Sequence, residues 1–387
     1  MYLKKIVDEN KELFIKTRRE LHKIPEVAFE EKKTSAYIAE YLKQENLEVI
    51  TNIATTGVVG LLRTNRPGPT LMVRADMDAL PVTEQTGLEF TSTHAGRMHA
   101  CGHDSHMAMA LGAVTVLNKI KDQLNGTIKF VFQPAEEGFS GAKAMIGEGV
   151  LENPTVDFAV GCHVWPLIPQ GAIGVKPGPL MAASDRFDLE IRGISSHGAM
   201  PHLAIDALEV STQVVSALQR IVSRNINPLI PAVITIGSLQ AGTTFNVIPE
   251  VAHLRGTVRT FDKGVRKELP KRIEQVIKGV CDSMNATYKL NYLPIYPPVI
   301  NDDDAVETIR KSAWEVVGKE NTLVPEMSMC AEDMSFYLEK VKGCFYFLGS
   351  GQENGLPLHN SRFDFDEDIL ATGVEMFGRT ALSILGK

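Results

Sequence analysis

The chain has 387 residues, of which 44% are hydrophobic and 22% charged, a composition that excludes disordered, collagen-like and coiled-coil proteins. That length corresponds to two or three domains of ordinary size. With 40 Lys+Arg against 47 Asp+Glu the net charge is -7, which argues against nucleic-acid binding, because that affinity comes from counterions released by basic patches. A small anionic substrate held by one or two local arginines stays compatible with it.

The first segment, MYLKKIVDENKELF, is amphipathic and charged, without the apolar core and cleavage site of a signal peptide. No apolar run approaches the roughly 18 residues of a membrane span. A cytoplasmic protein with no membrane partner is expected. Leu13, Phe14, Leu21 and Ile24 recur at helical spacing until Pro25 breaks the run. A second helix is expected over about 34–45. Strand-like runs rich in Val, Ile and Leu follow at 58–62, 71–75, 128–133 and 158–164, with an apolar helix at 105–120 between them. Strands alternating with helices predict an α/β layer structure around a mainly parallel sheet.

The pattern changes after Pro177-Gly178-Pro179. A strand is expected at 186–192, a helix at 204–224, strands at 232–239 and 251–260, a helix at 265–284 and a strand at 287–293. That βαββαβ order is the ferredoxin-like unit, an antiparallel sheet with helices on one face. The proline-rich stretch 294–298 closes it. The α/β pattern then resumes with a helix from about Asp304, a strand at 344–348 and a last helix from Glu367. The expected architecture is a discontinuous α/β domain, 1–182 and 295–387, split by an inserted α+β domain, 183–294. The five cysteines, Cys101, Cys162, Cys281, Cys330 and Cys344, are odd in number and contain no C-x-x-C pair, so this is not a disulfide scaffold.

Four clusters carry chemistry: His99-Ala-Cys101-Gly-His103-Asp104-Ser-His106, Pro134-Ala-Glu136-Glu137-Gly138, Cys162-His163 and Leu358-His359-Asn360. Most lie at predicted strand ends or just before a helix, the edge of an open α/β sheet where ligands bind. Taken singly, His163 could be a core histidine and Glu136-Glu137 a solvated helix start. Taken together, Cys101, His103, Glu137, His163 and His359 supply the mixed thiolate, imidazole and carboxylate donors of a two-metal hydrolytic site. Glu136 neighbours a ligand yet is left over, which is where a general base belongs.

The motifs Arg74-Ala-Asp76-Met-Asp78-Ala-Leu-Pro81, His99-Ala-Cys-Gly-His-Asp104, Pro134-Ala-Glu-Glu-Gly138 and Asn246-Val-Ile-Pro249 resemble the amidohydrolase branch of the aminoacylase/carboxypeptidase metallohydrolases, which includes hippurate hydrolases, auxin-conjugate hydrolases and bacterial N-acyl-amino-acid deacetylases. The resemblance runs from the first helix to the last. It implies a dinuclear-metal aminopeptidase-like catalytic domain interrupted by a lid, and a homodimer or homotetramer formed through that lid. It makes Cys101 the bridging ligand, completes the shell with His103, Glu137, His163 and His359, and makes Glu136 the base. Peptidase branches carry His-x-Asp where this chain has Asp76-Met-Asp78, so these aspartates are expected to orient ligands rather than bind metal. His197 is expected to open the first lid helix and, by the same resemblance, to polarise the scissile carbonyl in the partner subunit's site. Asn246 and Arg259 are candidates to hold the substrate carboxylate, with Arg255 as rival on the same face of the same strand. His106 and His202 are expected to be packing or supporting residues.

The expected activity is metal-dependent cleavage of N-acyl amino acids, N-acetyl or N-aroyl, to a carboxylic acid and a free amino acid. Two divalent ions are expected per subunit, zinc or manganese, with cobalt or nickel admissible. The alternatives are a dipeptidase or carboxypeptidase of the same family, and a metal-free binding protein on the same scaffold.

Overall fold

The computed structural model describes residues 2–387. In chain order its elements are α1 (Tyr2–Glu9), α2 (Lys11–His22), α3 (Lys32–Gln44), β1 (Glu48–Ile53), β2 (Gly57–Arg63), β3 (Thr70–Asp76), α4 (His103–Lys119), β4 (Thr127–Gln133), α5 (Glu136–Phe139), α6 (Gly141–Gly147), β5 (Phe158–Pro169), β6 (Ile173–Gly174), β7 (Gly178–Met181) and β8 (Ala183–Arg192). There follow β9 (Ser196–His197), α7 (Ala207–Asn225), β10 (Ala232–Ala241), β11 (Val247–Ile248), β12 (Val251–Thr260), α8 (Lys263–Ser283), β13 (Thr287–Tyr296), β14 (Val299–Asn301), α9 (Asp303–Val316), β15 (Thr322–Leu323), α10 (Met334–Leu338), β16 (Gly343–Gly351) and α11 (Ile369–Leu385). They form two compact units. One takes the chain up to Gly178 together with Ile300–Glu326 and Asp333–Lys387; the other takes Pro179–Val299 and Met327–Glu332.

The first unit is built on an eight-stranded sheet in the order β1-β2-β4-β3-β5-β16-β6-β15. Its centre is parallel: β3 pairs with β4 and β5, and β5 with β16. Every residue of β3 is buried, as expected of a parallel strand covered on both faces. Helix α4 is buried from His103 to Leu117, so after its polar first turn, His103–His106, its sequence is almost wholly apolar rather than apolar along one stripe. Leu71, Val73, Leu111, Val114, Phe130, Val160, Tyr346 and Val374 belong to one continuous core. The single N-terminal helix expected from periodicity is two helices. Asn10 separates them, and its Nδ2 donates to the carbonyl of Ile6 at 2.7 Å, the side-chain competition that makes asparagine a helix breaker.

The second unit carries a four-stranded sheet, β10-β12-β8-β13, in which every neighbouring pair is antiparallel. With α7 and α8 it completes the βαββαβ order. Alternate residues of β8 and β12 point to a core of Phe187, Leu189, Ile191, Leu254 and Val258 against Leu218, Ile273 and Ile277. Helix α7 begins at Ala207 rather than 204, because Pro201–Leu203 forms a separate turn and the Asp206 carboxylate caps the helix, accepting from the N–H of Leu208 (2.9 Å) and Glu209 (3.1 Å). The unit also claims Met327–Glu332. The N–H of Ser328 donates to Leu180 (2.9 Å), and that of Ala182 reaches the carbonyls of Ser328 and Cys330 (both 3.0 Å).

Candidate metal centre

The donors gather where the parallel strands end. Cys101 and His103 flank Gly102, whose φ of 82° is left-handed and which precedes α4. A Cβ at Gly102 would lie 2.4 Å from Cγ2 of Val164, so only glycine lets this loop approach β5. After β4, Ala135 (φ 58°) and Gly138 (φ 89°) turn the backbone left-handed on either side of Glu136-Glu137. Strain of this kind concentrates at functional sites. His163 lies inside β5, within the strand expected over 158–164, and β5 runs on to Pro169. The pairing of β3 with β5 stops at Arg74↔Gly161, while β5 continues beside β16, so His163 lies past the last β3–β5 pair, opposite Phe347 of β16, and is still in a strand. His359 also has a left-handed φ, 68°, and its N–H donates to the carbonyl of Ala100 at 2.8 Å, which ties its loop to the residue before Cys101.

All five expected ligands come together. Donor atoms of Cys101, His103 and His163 lie within 4.8 Å of one another, and so do those of Cys101, Glu137 and His359. The shared member is Cys101, whose Sγ is 3.4 Å from Nε2 of His163. Oε1 of Glu137 is 3.3 Å from Nε2 of His359 and 4.0 Å from Nε2 of His103. Nε2 of His103 and Oε1 of Glu137 are nevertheless buried without a hydrogen-bond partner. Buried polar atoms are costly in that state, and a cation between them removes the cost. The donor set fits two divalent ions, with Cys101 a member of both donor groups. Glu136 also borders the site, grouped within the same distance with His103 and Glu137.

The surrounding hydrogen bonds orient the candidate ligands. Nδ1 of His103 donates to the carbonyl of Asp78 (2.8 Å) and Nδ1 of His163 to that of Val164 (2.6 Å), so both rings present Nε2. The Asp78 carboxylate accepts from the N–H of Glu136 and of Glu137, each at 3.0 Å. Asp76 and His106 lie close enough to His103 to suggest a further donor group. Both His106 nitrogens are engaged, however: Nδ1 with Asp76 (2.6 Å) and Nε2 with the N–H of Val164 (3.0 Å). Asp76 is also paired with Arg74 at 2.8 Å. Both residues are therefore committed to hydrogen bonds and ion pairs beside the candidate ligands.

The electrostatics are those of crowded donors. Burial alone would lower the pKa of His103, but Asp76, Asp78 and Glu137 outweigh it and raise it to about 10. Burial, with Glu137 and Glu136, holds the Cys101 thiol well above its ordinary value. A divalent cation reverses that preference, since a coordinating thiol is deprotonated.

The residue after His103 has a partnership that the sequence reading missed. Asp104 accepts from Nε of Arg18 (3.0 Å) and pairs with Nδ1 of His22 (2.8 Å), while Nε2 of His22 lies 3.3 Å from Glu84. This buried charge cluster pins α2 to the start of α4. Its members are remote in sequence, and no motif joins them.

In the second unit, His197 is not at a helix start. It lies in β9, paired with Val247 of β11, because the turn at Pro201 separates it from α7. Its Nδ1 accepts the N–H of Ala199 at 3.1 Å, which leaves the ring proton on Nε2. The carbonyl of Asn246 accepts from the N–H of Gly198 (2.8 Å), so His197 and Asn246 share one local pairing. Arg259 lies on β12 opposite Ser184 and Val233. It is half-buried, burial lowers its pKa, and no carboxylate pairs with it among the described residues. Arg255 is 73% exposed and lies 3.3 Å from Asp188. His202 is exposed in the turn Pro201–Leu203.

A mainly parallel sheet with thiol, imidazole and carboxylate donors collected at its strand ends defines a metal-dependent hydrolase with a two-ion centre. The chain belongs to peptidase family M20/M25/M40, whose profile matches residues 72–383. It is 43% identical over 303 residues to the N-acyl-L-amino acid amidohydrolase of Geobacillus stearothermophilus, with 78% of this chain and 81% of that protein covered. It is 38% identical over 379 residues to thermostable carboxypeptidase 1 of Saccharolobus solfataricus, with 96% and 95% covered. Among solved structures, the YXEP protein of Bacillus subtilis, described as a dinuclear metal-binding peptidase of the M20 family, superposes with a TM-score of 0.86 at 36% identity, covering 98% of this chain and 99% of that one. No helix among the described residues is long and apolar enough to cross a membrane.

Proposed function

We propose that the chain is an N-acyl-amino-acid amidohydrolase in which Cys101, His103, Glu137, His163 and His359 hold two divalent ions, zinc or manganese, with cobalt or nickel admissible. The observation that carries this reading is the pair of donor groups that share Cys101, with Glu136 at their border. When bound, the ions supply an acidified water and an electrophile for the acyl oxygen. Glu136 takes the proton of the attacking water and passes it to the leaving amine. His197 donates its Nε2 proton to the developing oxyanion. Arg259, assisted by Asn246, grips the substrate carboxylate with two parallel hydrogen bonds. It is favoured over Arg255 because Arg255 is engaged by Asp188 and open to water. The products are a carboxylic acid and a free amino acid.

By resemblance the second unit is the lid, through which a homodimer forms and from which His197 serves the partner subunit's site. A cytoplasmic setting agrees with five free cysteines. The test is a panel of N-acetyl and N-benzoyl amino acids, beside dipeptides, on protein reconstituted with each metal. Turnover of the N-acyl series with about two metals per chain is expected. Turnover of dipeptides alone would favour the carboxypeptidase reading, which the Saccharolobus relative keeps open. Neither metal nor turnover would leave a binding protein.

A further inference from the structure

The loop that carries Glu136 and Glu137 is held by three buried carboxylates from remote parts of the chain. Glu31 accepts the N–H of Ala135 at 3.0 Å, Asp78 those of Glu136 and Glu137, and Asp333 that of Ala142 at 2.9 Å. Asp333 differs from the other two in one respect. Its own peptide N–H donates to Oε1 of Glu136 at 3.4 Å, so it reaches the side chain of the residue assigned as base.

The Asp333 carboxylate is fully buried and tightly determined. Oδ1 accepts from Nη2 of Arg74 (2.8 Å) and Nε2 of Gln133 (2.8 Å); Oδ2 accepts from Nε2 of Gln133 (2.9 Å) and the N–H of Ala142. Arg74 in turn donates to Gln133 (2.9 Å) and to Asp76 (2.8 Å), so its planar fork links β3, β4 and the Asp333 segment. Gln133 is the last residue of β4, three before the base. Each oxygen accepts two hydrogen bonds. With its carboxylate fixed on four contacts, the Asp333 peptide has one orientation.

We propose that Asp333 is a positioning residue for the amide cleavage. Locked by Arg74, Gln133 and Ala142, it presents its N–H to Oε1 of Glu136 and so holds the base in the rotamer that faces the attacking water. This rests on Glu136 being the base. A proton shuttle that works twice per cycle has to return to one position between its two transfers, and a single backbone donor supplies a fixed point for it.

The test is Asp333→Asn, which keeps the volume but turns an amide N–H2 toward donors. In metal-loaded enzyme kcat should fall about 30-fold, a share of the 10²–10⁴ that a positioned base supplies, with KM within about 3-fold and metal content unchanged. In a Glu136→Gln background the same substitution should cost less than about 3-fold, because its effect runs through the base. Three results would overturn the proposal: wild-type kcat in folded, metal-loaded Asp333→Asn; metal lost in step with activity; or the full loss repeated in the Glu136→Gln background. If Asp333→Asn does not fold, Gln133→Met loosens the same carboxylate without altering its charge. It should lower kcat about 5-fold with KM and metal unchanged, and wild-type kcat there overturns the proposal equally. Failure of the underlying reading shows separately, as wild-type turnover by Glu136→Gln alone.

Discussion

Glu136→Gln is the most direct probe of the reaction. Glu136 is buried, and glutamine matches its size and still offers an Oε1 to the N–H of Asp333. The N–H of Glu136 keeps its bond to Asp78, since that contact is backbone. None of the five proposed ligands changes. Folding and metal content should therefore stay at wild-type levels, and what is lost is the proton-accepting carboxylate. General acid–base catalysis contributes about 10²–10⁴ in rate, or about 3–5.5 kcal/mol of barrier. Because the same group serves water and leaving amine, the loss should lie toward the upper end. The assay is kcat and KM on an N-acyl amino acid, with metal quantified on the same sample by mass spectrometry. Wild-type turnover would refute Glu136 as base. Loss of metal would mean that Glu136 is itself a ligand.

Cys101→Ala removes the member common to both donor groups, so both ions should weaken together, and metal analysis should find well under one ion per chain with no turnover; a metal-replete, active variant would remove the thiol from the site. Arg259→Ala should raise KM about 10- to 100-fold with a smaller effect on kcat, the loss expected when a charge-assisted contact to a carboxylate is removed, whereas Arg255→Ala should stay within about 2-fold; the reverse order would reassign the anchor. His22 gives a pH dependence of stability. Burial would lower its pKa, but Asp104 and Glu84 outweigh burial and the nearby Arg18, and raise it to about 9 from 6.5. His99 is the other titratable ring beside it. A raised folded-state value means stability fully present below about pH 6.5 and lost as pH rises through about 9, worth about 3 kcal/mol in all. Urea unfolding of wild type and His22→Gln between pH 6 and 9.5 should show their difference shrinking as pH rises, and a constant difference would refute the linkage.

Much of the site was legible in the sequence because its chemistry demands particular residue types at strand ends. Thiol, imidazole and carboxylate stand next to Gly102 and Gly138, and those glycines mark the turns that bring donors to the sheet edge. The inserted unit was legible for a different reason: β8 and β12 bury one face, so their alternation shows in the letters, and the change of pattern at Pro177–Pro179 marks the entry. What escaped was fixed by tertiary pairing. Nothing local says that Met327–Glu332 returns to the inserted unit, or that β5 pairs on with β16 past its last pair with β3.

Asp333 shows most clearly why. Asp206, Asp262 and Asp302 each precede a helix and cap it, accepting from N–H groups two or three residues ahead. Asp333 precedes α10 in the same way and makes no side-chain cap. Its carboxylate turns inward to Arg74 and Gln133, residues 259 and 200 positions away. The letter before the four helices is the same; the three capping aspartates have extended backbone, whereas Asp333 is already helical at its own φ and ψ (-81° and -5°) and its carboxylate is buried. A capping aspartate keeps part of its carboxylate in water and needs one or two weak partners. A fully buried one has lost that hydration and is tolerable only when a cation and several donors replace it. Those partners come from β3 and β4, so the role of Asp333 is decided by which strands end beside it. The sheet order β4-β3-β5 therefore had to be known before the residue behind the base could be found.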